Sequence, residues 1–245
     1  MIRYKLTLEY DGRPFVGWQR QANGASVQAA LEEAVLRFCG ESVTAIAAGR
    51  TDAGVHALAQ VAQIDLAGEV ATDKLRDAIN FHLKPLPVAV LRAELAPEGF
   101  HARFSARMRR YRYRILNRRA PLVLDAGRAW RVPQPLDAQA MSQAAQHLIG
   151  RHDFTSFRAT LCQAQSPVKT LDRLSIERSG EEIIVLAEAR SFLHHQVRNM
   201  VGSLKLVGEG RWSEADLVRA LEARDRRAAG PTAPAFGLYL IEVRY

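Results

Sequence analysis

The chain has 245 residues, 48% of them hydrophobic and 24% charged, the make-up of an ordinary soluble globular protein with enough length for one large domain or two packed halves. No apolar run is long enough to span a bilayer, and the only two cysteines, Cys39 and Cys162, lie far apart and outside any C-x-x-C pair. A membrane span, a disulfide framework and a cysteine-based zinc site are thereby excluded, and a cytoplasmic protein is expected. The balance of 34 Lys+Arg against 26 Asp+Glu gives a net charge of +8, made of 29 Arg and only 5 Lys. Arginine offers phosphates a planar fork and bases a stacking face, so the excess favours a nucleic-acid partner. A GC-rich genome explains the arginine bias on its own equally well.

In chain order, Ile2, Tyr4, Leu6, Leu8 and Tyr10 alternate with polar residues, which predicts a strand with one buried face. Ser26 then caps a helix through Val27, Leu31, Ala34, Val35 and Phe38, ended by Gly40. Two strand-like runs, Val43 to Ala48 and Leu58 to Leu66, flank a loop. A second helix opens at Thr72 and carries Leu75, Ala78 and Ile79, and Val88 to Leu95 reads as a closing strand. The second half repeats the order. A strand spans Tyr111 to Leu116, and Asp137 caps a helix through Met141, Ala144, Ala145 and Leu148 that stops at Gly150. Strands follow near 171–178 and 182–190, then a helix with Val197, Val201, Leu204 and Val207, an extra helix from Ser213 with Asp216 in capping position, and a last strand from Leu238 to Tyr245. The expected class is α+β: two ferredoxin-like, RRM-like βαββαβ halves, residues 1–105 and 106–245, with antiparallel sheets meeting at a central cleft.

The loop Gly49-Arg50-Thr51-Asp52-Ala53-Gly54-Val55-His56-Ala57 places a carboxylate at a bend between two apolar runs. Its glycines allow backbone conformations closed to other residues. Arg50, two positions before Asp52, points to the same side in extended chain. A carboxylate beside a fixed cation stays ionised and available for nucleophilic attack; an Asx turn, in which Asp52 bonds its own backbone, is the alternative.

Seven arginines lie between Arg107 and Arg119. On a strand, Arg110, Arg112 and Arg114 share one face and Tyr111, Tyr113 and Ile115 the other. The basic face is either a phosphate track or simply solvated; Tyr111 suits stacking on an extruded base, whereas Tyr113 suits the core. Arg198 lies in a mostly apolar helix and needs a partner unless it snorkels to the surface. His194 and His195 lie next to each other, but no further ligand group is spaced to join them, so no metal site is expected.

The string GRTDAGVHA resembles the catalytic motif of the TruA-type tRNA pseudouridine synthases. Tyr10-Asp11-Gly12, Gly17-Trp18-Gln19, Phe100-His101-Ala102-Arg103-Phe104, Arg110-Tyr111-Arg112-Tyr113, Gly150 to Phe154 with Ser156-Phe157, His195 to Gly202 and Ala233 to Leu238 resemble that family in the same order. Residues 80–90 fit its pattern less closely. The resemblance implies isomerisation of uridine to pseudouridine at positions 38, 39 and 40 of the tRNA anticodon stem-loop by a homodimer without a cofactor. It also implies that Asp52 is the nucleophile, that Arg198 pairs with it, and that Tyr111 packs on the target uracil. Leu238 would pack on the other face of that base, and Arg50 would enter the RNA stack once the nucleotide has swung out.

Pseudouridine formation breaks the N1–C1′ bond, turns the uracil and rejoins it through C5. Nothing leaves and no redox change occurs, and a nearby anion stabilises the oxocarbenium character of the sugar. Two other readings compete: an RNA-binding protein without catalysis, against which the intact Asp52 motif argues, and a base-removing glycosidase, for which no dedicated second carboxylate is evident.

Overall fold

Alternating burial along Ile2–Tyr10 (β1) puts Tyr4, Leu6, Leu8 and Tyr10 inside, as the sequence pattern predicts. A computed structural model describes residues 1–160 and 162–245. It divides into two compact units, Met1–Arg107 with Tyr239–Tyr245, and Met108–Leu238.

In the first unit, Val27–Cys39 (α1) starts at Ser26, whose side chain accepts from Ala29 N–H, and ends at Gly40 in the left-handed conformation. The pair Ile46–Ala47 (β2) lies antiparallel to His56–Leu66 (β3), which runs antiparallel to β1 from Ile2↔Leu66 to Tyr10↔Ala57. Both faces of β3 are buried from Gln60 to Ile64, as befits a strand with neighbours on each side. Helix Thr72–Leu83 (α2) buries Leu75, Ile79 and Leu83 and lies against α1 and strand Val88–Leu95 (β4), which pairs with β1. Asn80 joins α2 to β4 by two bonds to the main chain of Val90, 2.7 and 2.8 Å. These strands therefore stand in the order β4-β1-β3-β2.

The second unit opens with Met108–Leu116 (β5), to whose end Trp130–Arg131 (β6) adds in parallel. Asp137 caps Ala138–Ala145 (α3) by accepting from Gln139 and Ala140 N–H, and a 3-10 turn leads to Gly150. A hairpin follows that sequence patterning missed: Gly150–Asp153 (β7) with Val168–Leu171 (β8), four residues each and mostly half-exposed. Strands Arg173–Ser179 (β9) and Glu182–Ala189 (β10) complete an antiparallel β9-β10-β5 sheet. Its core side carries Tyr113, Ile115, Ile183, Val185 and Leu174, all nearly inaccessible, with α3 packed on β9.

Helix Gln196–Gly208 (α4) packs on α3 and is buried almost all round, not along one stripe as the periodicity of Val197, Val201, Leu204 and Val207 predicts. Helix Glu214–Glu222 (α5) begins with the capping box of Ser213 and Asp216. The last strand, Leu238–Arg244 (β11), was expected to close the second half; from Tyr239 onward it falls with the first unit, where Tyr239 and Leu240 pair in parallel with His56 and Ala57. The architecture is mixed α/β with mostly antiparallel strands and five α-helices among the described residues. None of those helices is long and apolar enough to cross a membrane.

Candidate active site

The Asp52 loop is fastened to the segment that follows β1. Trp18 N–H donates to Thr51 O at 3.0 Å, and Gly17 and Asp52 form an isolated antiparallel bridge. The same segment is tied to the start of α1, with Val27 N–H on Gly17 O and Gln28 N–H on Trp18 O. Gly17 has φ +108, and a Cβ there would stand 2.5 Å from Thr51 O, so no side chain fits.

The bend itself is a four-residue turn closed by Val55 N–H on Asp52 O at 3.1 Å, with Gly54 at φ +78 in its third position. That φ suits a type II turn and explains the glycine. The main chain thus closes the turn, and Asp52, at its first position, is half-buried.

Beneath Thr51 lies a polar chain that sequence reasoning missed. Gln60 Nε2 donates to Gly49 O at 2.8 Å and to Tyr10 Oη at 3.3 Å, and the Tyr10 hydroxyl is hydrogen-bonded to Thr51 Oγ1, 2.8 Å away. All three side chains are buried, and burial pushes the Tyr10 phenol up to about 12. The signal was present: Gln60 is an amide in an otherwise apolar stretch of β3, and a buried amide requires partners. His56 completes the bed, its Nδ1 accepting from Gly12 N–H at 3.1 Å and its ring stacked on Tyr239 at 4.6 Å.

Arg50 is exposed and makes no ion pair among the described residues.

In the second unit, Tyr111 sits on the core side of β5, nearly buried, with Phe192 edge-on at 5.2 Å. Two residues on, Tyr113 Oη donates to Pro234 O at 2.8 Å; burial raises its phenol well above the usual range, and the Arg198 charge opposes that rise. Arg198, in the first turn of α4, is half-buried and donates through Nε to Ala233 O at 2.8 Å, while Ala233 N–H returns to Arg198 O at 3.1 Å. The chain then passes through a 3-10 turn, Ala235–Gly237, which lies against β5, and reaches the buried Leu238. Arg198 is thus a fixed guanidinium and not a snorkelling surface residue.

The basic face of β5 is less available than the sequence suggested. Arg110 Nε lies 2.8 Å from Glu188, its cross-strand partner on β10; Arg114 bonds Glu182 at 2.6 Å and Asp125 at 2.9 Å, with half-buried Arg112 between them. Nor do the arginines after α5 form a simple patch. Arg226 is spent on Ala229 O, Gly230 O, Asn199 Oδ1 and Thr232 Oγ1, and Arg227 on Asp225. The rings of His194 and His195 lie 4.1 Å apart, and His195, at φ 64, opens α4.

Comparison with known proteins gives the family. A family model described as tRNA pseudouridine synthase matches residues 7–105 and 144–245. The chain belongs to that family. It is 69% identical over its full length, and that of the relative, to the tRNA pseudouridine synthase A of Rhodospirillum centenum. It is 63% identical to the same-named protein of Paramagnetospirillum magneticum, covering all of the chain and 96% of the relative, and 62% identical to that of Xanthobacter autotrophicus over both full lengths. Enzymes of this family are isomerases acting on tRNA uridine, and the matched stretches contain the Asp52 loop, Arg198 and Leu238. Tyr111 and the β5 arginines lie between the two stretches.

Proposed function

We propose that the chain isomerises uridine to pseudouridine at positions 38, 39 and 40 of the tRNA anticodon stem-loop, with Asp52 as its catalytic carboxylate. The observation that carries this reading is a carboxylate presented on a loop whose shape is held by other groups: Trp18 and Gln60 fasten its backbone, Tyr10 bonds the Thr51 hydroxyl, and Val55 closes its bend. A carboxylate on a loop fastened in this way is held in a fixed place, as chemistry on a bound substrate requires.

Attack at C1′, addition to the base and removal of the 2′ proton are three routes for Asp52, and each requires it ionised. Arg198, its guanidinium fixed by Ala233 O, is the proposed cation that keeps it so. Tyr111 and Leu238 are the proposed walls between which the detached uracil turns: an aromatic and an aliphatic surface hold it without fixing its rotation. Arg50 is the proposed occupant of the gap left by the extruded nucleotide, for which its exposed side chain suits it. Phosphate contacts fall first to cations outside the Arg110 and Arg114 pairs, because a phosphate on that stripe must displace or share the carboxylates already there.

On this reading each of the two units, Met1–Arg107 with Tyr239–Tyr245 and Met108–Leu238, is built on a ferredoxin-like half. The order β4-β1-β3-β2 with two helices supports it for the first, and a cytoplasmic homodimer would grip tRNA body and anticodon arm together. The decisive assay is tritium release from tRNA carrying 5-tritiated uridine, with Asp52→Ala as control. Release by the wild type and none by the variant supports the assignment; release of free uracil would instead mark a glycosidase.

A further inference from the structure

Phe104 stands 70% exposed in the first unit, in a turn that is otherwise tied down. His101 N–H donates to Ser105 Oγ at 3.0 Å, and Ser105 N–H returns to His101 O at 2.9 Å. His101 Nδ1 accepts from the main-chain N–H groups of Arg103 and Phe104 at 3.2 and 3.3 Å. On the inner side, Ala102 N–H bonds Gln63 Oε1 at 2.7 Å, and Tyr245 Oη donates to Ala102 O at 2.8 Å. Phe100 and Ala102 are buried in a cluster with Ala48 and Val61. The ring is therefore held out of the core by a fixed backbone, and looseness of the chain does not account for its exposure.

Its surroundings point to the partner. The Arg103 guanidinium lies over the Phe104 ring, 5.7 Å from its centroid, and the His101 ring is 4.4 Å away and tilted by 34°. A docked protein needs a broad buried patch, on the order of 800 Å² on each side. A single rigid phenyl with a cation over it suits something smaller: one flat base, with its phosphate near the cation. The net charge of +8 agrees with a polyanion.

We propose that Phe104, with Arg103, forms a stacking platform for an unpaired base of the bound tRNA other than the reacting uridine. The inference rests on the reading of this chain as a tRNA-modifying enzyme, but its test does not depend on turnover. Binding of unmodified tRNA is measured by titration for the wild type and for Phe104→Ala, Phe104→Leu and Phe104→Tyr, each with its folded state checked by circular dichroism and its mass by light scattering. Loss of one stack is expected to weaken binding by about 5- to 150-fold in Phe104→Ala. Phe104→Leu, apolar but without a π face, should behave like Ala, and Phe104→Tyr should bind like the wild type. Chemical probing of the tRNA should show one base that the wild type protects and Phe104→Ala leaves reactive.

Wild-type affinity in Phe104→Leu would overturn the stacking role. So would an altered mass in Phe104→Ala with tRNA affinity unchanged, which would assign the ring to a second copy of the chain. If the wild type binds tRNA through Phe104 but releases no tritium, the isomerase reading fails and the platform stands.

Discussion

On the Asp52 loop, Arg50 is exposed and carries no ion pair among the described residues; on β5, Arg110 and Arg114 rest on Glu188, Glu182 and Asp125. In the sequence, the β5 run is the more conspicuous, with seven arginines between residues 107 and 119 against one in the loop. The structure reverses that ranking. A cation with a fixed carboxylate partner must give up that pair before it takes a phosphate, whereas an exposed one meets no such competition. Charge density along the chain thus says little about which cations are already paired; the register of the sheet decides that.

The largest expected effect tests the loop itself. Asp52→Asn keeps the shape of the side chain and removes its charge, so turnover should fall by at least about a thousandfold while tRNA affinity stays within about twofold. Residual turnover within about tenfold of wild type, roughly 1.4 kcal/mol in the barrier, would break the comparison by making the loop an ordinary surface turn. Arg198→Ala comes next, with turnover down by about a hundredfold. If Arg198 holds the aspartate ionised, the acid limb of the pH–rate profile moves up in the variant, because loss of the cation raises the carboxyl pKa. An unmoved limb would restrict Arg198 to its bond with Ala233.

The arginines can then be compared directly through salt dependence. Arg50→Ala is expected to weaken tRNA binding about tenfold and to lower the slope of log affinity against log salt by about one. The double variant Arg110→Ala/Arg114→Ala should leave the slope nearly unchanged and lower the thermal midpoint, since it strands Glu188 and Glu182. A slope reduced by two would show the carboxylates to be resting partners of a true phosphate track.

Two smaller effects sharpen the picture of the scaffold. Tyr10→Phe removes the hydroxyl that bonds Thr51, with an expected cost of about 1 kcal/mol in unfolding free energy and a several-fold fall in turnover. Denaturant melts and single-turnover rates check both. Asp65 is held below the usual carboxylate range chiefly by its hydrogen bonds from Arg3. Its contribution is therefore present above the unfolded pKa and lost as pH falls through the folded one. Asp65→Asn should lower stability at neutral pH by less than about 1 kcal/mol, because the pair is about a third exposed, and should converge with wild type once the pH has fallen below the folded pKa.

Local signals carried most of the fold. Ser26 and Gly40 bound α1, and Ser213 with Asp216 caps α5, as read from the sequence, because such motifs need only neighbours along the chain. The β7–β8 hairpin escaped notice because Gly150–Asp153 is short, charged and half-exposed, with no alternation to betray it. The pairing of Tyr239 and Leu240 with His56 and Ala57 depends on residues about 180 positions apart, beyond any periodicity. The site shows the same division. Asp52 and its glycines could be read in one string, but the matching of Arg110 to Glu188 requires the strand register, and the Gln60–Tyr10–Thr51 chain requires three separate segments to meet.

The contact at Gly17 limits how this chemistry could be moved elsewhere. The peptide of Thr51 occupies the space a side chain at position 17 would need, and Trp18 N–H is already committed to Thr51 O. Residues 49–57 are therefore half of a two-piece part whose other half lies some thirty positions upstream. Transplanting the nine-residue motif into another protein would carry the aspartate without the surface that shapes it. A functional graft would have to bring residues 10–18 along, together with Gln60 from below.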